Sequence, residues 1–203
     1  IYQVNVNILE SIKSLKSGNP IVLVDNEDRE FEGDLVLAAE KINEENLNFL
    51  LQNGKGLMCL PCTQDKLDQF EIPMMHSNGK DQFATPFANS IDSASGITTG
   101  MSIKDRIKTI TTFLSASSNS EDLVQPGHLF PLKASDGLLR EREGHTEGTI
   151  ELLKLADMEL VGVIVEIIGL DGEMLKGEEL KRFAEDNNLS FISIDEIKNE
   201  VYN

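Results

Sequence analysis

Between Asp25 and Asp34 the chain reads DNEDREFEGD, six carboxylates around one cation, Arg29. Asp28, Glu30, Glu32 and Asp34 recur two apart, so in an extended segment they share one side. Hard divalent cations take oxygen ligands of this kind. A calcium loop of the EF-hand type starting at Asp25 is excluded, because Arg29 and Glu30 stand where that loop needs a ligand and a glycine. Two readings remain. The run is a solvated acidic loop, or a site in which Arg29 orients a carboxylate or meets an anionic substrate.

The stretch REGHTEG, Arg142 to Gly148, precedes an apolar pattern that predicts a helix from Glu147 to Ala156. Thr146 is the expected N-cap, and the free N–H groups of the first turn, with Arg142 just upstream, would hold a phosphate. His145 at the same spot is either a metal ligand or proton carrier, or a surface histidine beside a helix start. In PGHLFP, Pro126 to Pro131, a glycine and two prolines fix the backbone around His128, which suits a rigidly held catalytic group or a plain turn. His76, in MMHSNG, reads as a loop residue. Glu166 places a charge in the apolar run Val161 to Ile168. Such a carboxylate is functional and paired, or it lies on a solvated strand end. SGITTGMS, Ser95 to Ser102, with Asp92 upstream, offers hydroxyls and backbone donors to a sugar or phosphate, or simply turns the chain.

Cys59 and Cys62 form CLPC. A redox pair needs its first cysteine at a helix N-terminus, and zinc needs two further ligands at suitable spacing. Cys59 instead ends an apolar run, and His76 and His128 lie far apart, so the pair reads as two buried small residues.

These residues require a scaffold of interleaved helices and strands. Ile8, Ile12 and Leu15 predict a first helix ending at Gly18, and Ile21 to Val24 a buried strand that opens into the acidic run. The apolar pattern resumes over Leu35 to Ala39. Further helices are expected at Glu44 to Leu51 and Glu178 to Asp186, and from a Ser102/Asp105 capping box through Leu114. Strands are expected at Gly56 to Leu60, Val161 to Ile168 and Phe191 to Ile194, with Asp195 capping a terminal helix. Ser115 to Asp122 reads as a surface connection. The result is an α/β (α+β) class, one layered domain over residues 1–203 with a mixed β-sheet and flanking helices.

A net charge of −17 argues against nucleic acid as a partner, since a polyanion is bound by clustered Lys and Arg. It leaves room for one small anion held by local cations and N–H groups. No apolar run reaches the roughly 20 residues that span a bilayer. With no signal peptide at the start and two cysteines, the expected compartment is the cytoplasm.

In order, VLVDNEDREFEGDLVLAAE, GLMCLP, SIDSASGITTG with IKDR and TI, PGHLFPLKA, and REGHTEG together resemble the 3,4-dihydroxy-2-butanone 4-phosphate synthase family, from about residue 8 to the end. The resemblance implies conversion of D-ribulose 5-phosphate to L-3,4-dihydroxy-2-butanone 4-phosphate and formate in riboflavin biosynthesis, by a homodimeric lyase using magnesium or manganese, two ions per site. It makes Glu30 and His145 the metal ligands and His128 and Glu166 catalytic. Arg29, Glu30, Asp34, Arg142, Glu143, Gly144, His145, Thr146 and Glu166 become substrate contacts, with Asp92 and Thr99 as further candidates. Phe31 and Leu138 depart from the family pattern, where a small or polar residue and a glycine are usual. Cys62 is not part of that pattern.

Overall fold

The computed structural model describes residues 5–77, 79, 80, 83 and 85–203. Its strands are β1 (Ile21–Val24), β2 (Gly33–Ala38), β3 (Cys59–Cys62), β4 (Ile91–Ser93), β5 (Leu123–Lys133), β6 (Gly162–Glu166) and β7 (Ser190–Ser193). They form one mixed sheet in the order β4-β5-β3-β6-β2-β1-β7. The α-helices are α1 (Val6–Lys16), α2 (Glu44–Asn53), α3 (Gln64–Gln69), α4 (Ile103–Leu114), α5 (His145–Leu155), α6 (Glu178–Asp186) and α7 (Ile194–Tyr202).

Both faces of the sheet are covered, which explains why its central strands are apolar without alternation. Leu35, Leu37, Val163 and Val165 pack with Leu47, Leu50, Ile110, Phe113 and Leu180 of α2, α4 and α6. Val36, Ala38 and Ile164 turn the other way, onto Ile8 and Leu15 of α1, Ile150 and Leu153 of α5, and Ile194 and Ile197 of α7. Two cores thus sandwich one sheet, as the expected layered class requires.

Local details correct the sequence reading. PGHLFP is no turn: it lies inside β5, where Pro131, which has no N–H, contributes its carbonyl alone, accepting from Ala88 N at 2.9 Å. The strand placed at Gly56 to Leu60 begins only at Cys59, because Gly56 and Leu57 donate their N–H groups to Glu166 instead of continuing a ladder. Ser102 caps α4 by accepting from Asp105 N, but the Asp105 carboxylate does not complete the box. It accepts from Thr98 N, Thr98 Oγ1, Thr99 N and Gly100 N, and so clamps the loop before the helix. Gly144, not Thr146, occupies the cap position of α5. Ser193, in a capping box with Glu196, takes the place expected for Asp195. The short elements α3 and β4 have no counterpart in the sequence reading, being too brief to show a period.

Phe31 and Leu138, the two departures from the family pattern, both sit at positive φ, 55° and 48°. A side chain is strained there, which is why glycine or asparagine usually fills such positions.

Candidate active site

The β1–β2 hairpin pairs Val24 with Gly33, so the acidic run is the loop that joins these strands at their site end. Asp25 holds the loop's base: its Oδ1 accepts from Glu32 N at 2.9 Å and its Oδ2 from Arg29 Nη1 at 2.5 Å. Arg29 also lies 2.7 Å from Glu30 Oε1, with its guanidinium 5.2 Å from the centre of the Phe83 ring. One residue into β2, Asp34 pairs in register with Glu166 at the end of β6. Antiparallel register therefore places two carboxylates side by side that are 132 positions apart in the chain, numbered 34 and 166. Glu166 Oε2 accepts from Leu57 N at 2.8 Å.

Helix α5 brings the third contribution. His145, its first residue, sets Nε2 3.2 Å from the carbonyl of Glu32. A carbonyl only accepts, so in this contact Nε2 carries a proton and donates it. Arg142 is held from two directions: Nη1 donates to Glu147 Oε2 at 2.7 Å, while Nε and Nη2 donate to Phe83 O. Glu147 itself is fully buried and also accepts from Ser135 N, so it acts as a fixed anchor for the guanidinium.

Arg29, Glu30, Asp34, Arg142, His145, Thr146 and Glu166 all line one cavity of about 80 Å³, floored by Cys59, Leu132 and Ile164. Asp34 is the most perturbed carboxylate of the cavity. It is 4% exposed, its Oδ1 finds no partner among the described residues, and burial raises its pKa from 3.8 to about 7. His145 opposes that shift, whereas Glu166, Glu30 and Asp25 reinforce it by repulsion. Glu32 is likewise raised, first by burial and then by Glu30. Carboxylates crowded out of water with too little positive charge among them are a site for a cation or a proton.

His128, Asp92 and Thr99 form a separate cluster that does not line this cavity. His128 Nδ1 lies 2.6 Å from Asp92 Oδ2, and His128 N donates to Asp92 Oδ1 at 3.0 Å. A carboxylate partner at Nδ1 leaves Nε2 as the working nitrogen. Gly100 is required beside this pair, since a Cβ there would fall 2.3 Å from Asp92 Oδ2 and 2.6 Å from His128 Nδ1. Thr99 belongs to the loop clamped by Asp105. Glu143 turns away from the cavity: Lys198 Nζ lies 2.5 Å from its Oε1, and Asn26 Nδ2 donates to its Oε2.

The profile of the 3,4-dihydroxy-2-butanone 4-phosphate synthase family matches residues 9–200. The chain belongs to this family. A synthase of that name from Desulforamulus reducens is 40% identical over 92% of this chain and 86% of its own length. Another, from Photobacterium phosphoreum, is 43% identical over 89% of this chain, which spans only half of that relative's length. A crystal structure of a family synthase in complex with two magnesium ions superposes with a TM-score of 0.90 at 32% identity, covering 96% of this chain and 95% of the other. The synthase from Candida albicans superposes at 0.87 with 33% identity, over 99% of this chain and all of the other.

For a member of this family, the donor set fits a hard divalent ion. Among the described residues no three His, Cys, Asp or Glu side chains converge into a ready-made cage. Magnesium does not require one, because it keeps several waters and takes one or two carboxylates plus substrate oxygens. Glu30 and His145 supply a carboxylate and an imidazole on one wall of the cavity, and the orphaned Asp34 Oδ1 marks negative charge that nothing yet answers. CLPC contributes wall, not chemistry. Both cysteines are free and buried, and burial pushes both thiols up, Cys62 to about 12. Thiolate activation needs the opposite shift.

Sequence reasoning missed Glu147 and Phe83 as the two holders of Arg142. Glu147 was visible inside REGHTEG as the first residue of the expected helix, but its burial was not. Phe83 acts through its carbonyl, which leaves no trace in residue type.

Proposed function

We propose that this chain converts D-ribulose 5-phosphate to L-3,4-dihydroxy-2-butanone 4-phosphate and formate, a lyase reaction of riboflavin biosynthesis, using magnesium or manganese. The observation that carries the reading is the Asp34–Glu166 carboxylate pair, closed in with Glu30, His145 and Arg142. The two magnesium ions of the related synthase support the same reading.

Glu30 and His145 would hold the ion, which when bound supplies Lewis acidity to neighbouring sugar oxygens. The chain's own residues do the rest. Arg142, immobilised by Glu147, and the N–H groups at the start of α5 bind the phosphate. Asp34, with its pKa near 7, is poised to take a proton from carbon or oxygen at working pH. Glu166, fixed by the Leu57 N–H, is the second carboxylate able to pass one. His128, oriented by Asp92, offers Nε2 as a further proton carrier.

A homodimer is part of the proposal. Leu57, Met101 and Val124 stay exposed although each adjoins site residues: Leu57 bonds Glu166, Met101 follows Gly100, and Val124 pairs with Asp92. Apolar side chains exposed around a half-exposed catalytic histidine suit a surface that a second copy covers.

Incubation with ribulose 5-phosphate and magnesium, followed by a formate assay, tests the reaction. Carbon-13 placed at C4 of the substrate should appear in formate, and label at C1 or C5 should stay in the four-carbon product. Label from C1 in formate, or metal-loaded protein that makes none, refutes the reading in favour of an isomerase or aldolase. Glu30→Gln and His145→Ala should each nearly abolish turnover.

A further inference from the structure

The acidic loop is gripped from outside by a segment that the reaction does not need for chemistry. Lys176 Nζ donates to the carbonyl of Glu30 at 3.0 Å and lies 3.8 Å from Glu32 Oε1. The next residue, Gly177, packs under the ring of Phe31: a Cβ there would sit 3.2 Å from Phe31 Cε1 and Cζ. Gly177 also has φ +51°, so a side chain would be strained as well as crowded. Three successive loop residues, Glu30, Phe31 and Glu32, are thus each touched by Lys176 or Gly177.

That pair stands on a rigid base. Leu175 N donates to Ile167 O at 3.1 Å, and Ile168 bridges to Met174, so the segment is tied to the continuation of β6 beyond Glu166. On the other side Gly177 caps α6, whose Leu180 and Ala184 are buried in the core. By contrast, the loop's own backbone bonds are few. Arg29 N and Phe31 N both converge on the single carbonyl of Asn26.

We infer that Lys176, with Gly177 beneath Phe31, is a positioning residue that locks the Glu30–Glu32 backbone so that the Glu30 carboxylate is held ready for a divalent ion. The role rests on the synthase reading for its purpose, but not for its geometry. Lys176 does not line the cavity and acts only through the loop. Outer residues that orient a ligand commonly change metal affinity by about ten- to a hundred-fold.

The test compares wild type, Lys176→Met and Lys176→Arg without and with manganese. In metal-free protein, Lys176→Met should speed amide exchange at Arg29, Phe31 and Glu32 about five-fold, with β6 and α5 unchanged. Manganese binding, measured by calorimetry, should weaken about ten-fold. Lys176→Arg should restore both, since the guanidinium can reach the same carbonyl. Exchange at those three amides within two-fold of wild type, or equally faster exchange throughout the chain, overturns the inference. Absence of formate from wild type would sink the synthase reading alone, because the exchange result is independent of turnover.

Discussion

Replacing Asp34 by asparagine should stabilise the metal-free protein above neutral pH while removing its turnover. The reason is the buried carboxylate, whose Oδ1 has no hydrogen-bond partner among the described residues. Its pKa stands at 3.8 when free and about 7 in the fold, so the native protein holds an extra proton between those limits. Stability is therefore full below about pH 4 and falls as pH rises, until Asp34 is ionised in both states. A difference of about three pKa units corresponds to about 4 kcal/mol in total, more than half of which is lost between pH 5 and pH 8. The amide of Asp34→Asn would keep the shape, carry no charge, and face Glu166 with a donor. Urea unfolding of both proteins at pH 5 and pH 8, in a chelator, gives the result directly. The variant's advantage should grow by about 2–3 kcal/mol across that interval. Titrating groups remote from Asp34 cancel in this comparison, because both proteins carry them alike; Glu166, Glu30, Asp25 and His145, which interact with Asp34, do not. An advantage that changes by less than about 0.5 kcal/mol would mean that Asp34 is not the frustrated group described here. Saturating magnesium should narrow the gap, since a cation beside Asp34 relieves the same repulsion.

Arg142→Ala should raise KM at least ten-fold with a smaller effect on kcat, read from initial rates; unchanged KM would send the phosphate elsewhere. Tyr202→Phe removes the hydroxyl that donates to Glu151, a carboxylate only 1% exposed, and should cost about 1–3 kcal/mol in urea unfolding at neutral pH. No loss of stability there would show that Glu151 is satisfied otherwise. The Cys59→Ala, Cys62→Ala double variant should retain turnover per folded molecule, and loss of catalysis in a fully folded sample would return CLPC to the mechanism.

Much of this molecule is legible in its residue order. Apolar runs such as Ile21 to Val24 and Val161 to Val165 announce buried strands, because a sheet covered on both faces cannot alternate. Composition argued against a nucleic-acid partner, and the ordered motifs led to the family without help from any coordinate. The acidic loop, REGHTEG and Glu166 were visible as separate oddities of charge. What residue order could not contain is their convergence. Asp34 and Glu166 meet only because β2 and β6 pair in one antiparallel register, and a shift by one residue would point them to opposite faces. The burial that lifts Asp34 is a property of the closed cavity, not of an aspartate after a glycine. Tertiary contact also decided who holds whom: Glu147 and a backbone carbonyl fix Arg142, Asp105 leaves its expected cap to clamp a loop, and Lys176 reaches back 146 positions to Glu30. The Arg142–Phe83 and Lys176–Glu30 bonds join segments 59 and 146 positions apart, for which spacing carries no signal, while the Arg142–Glu147 and Thr98–Asp105 bonds are local, five and seven positions apart, and depend on how the loop before each helix folds back.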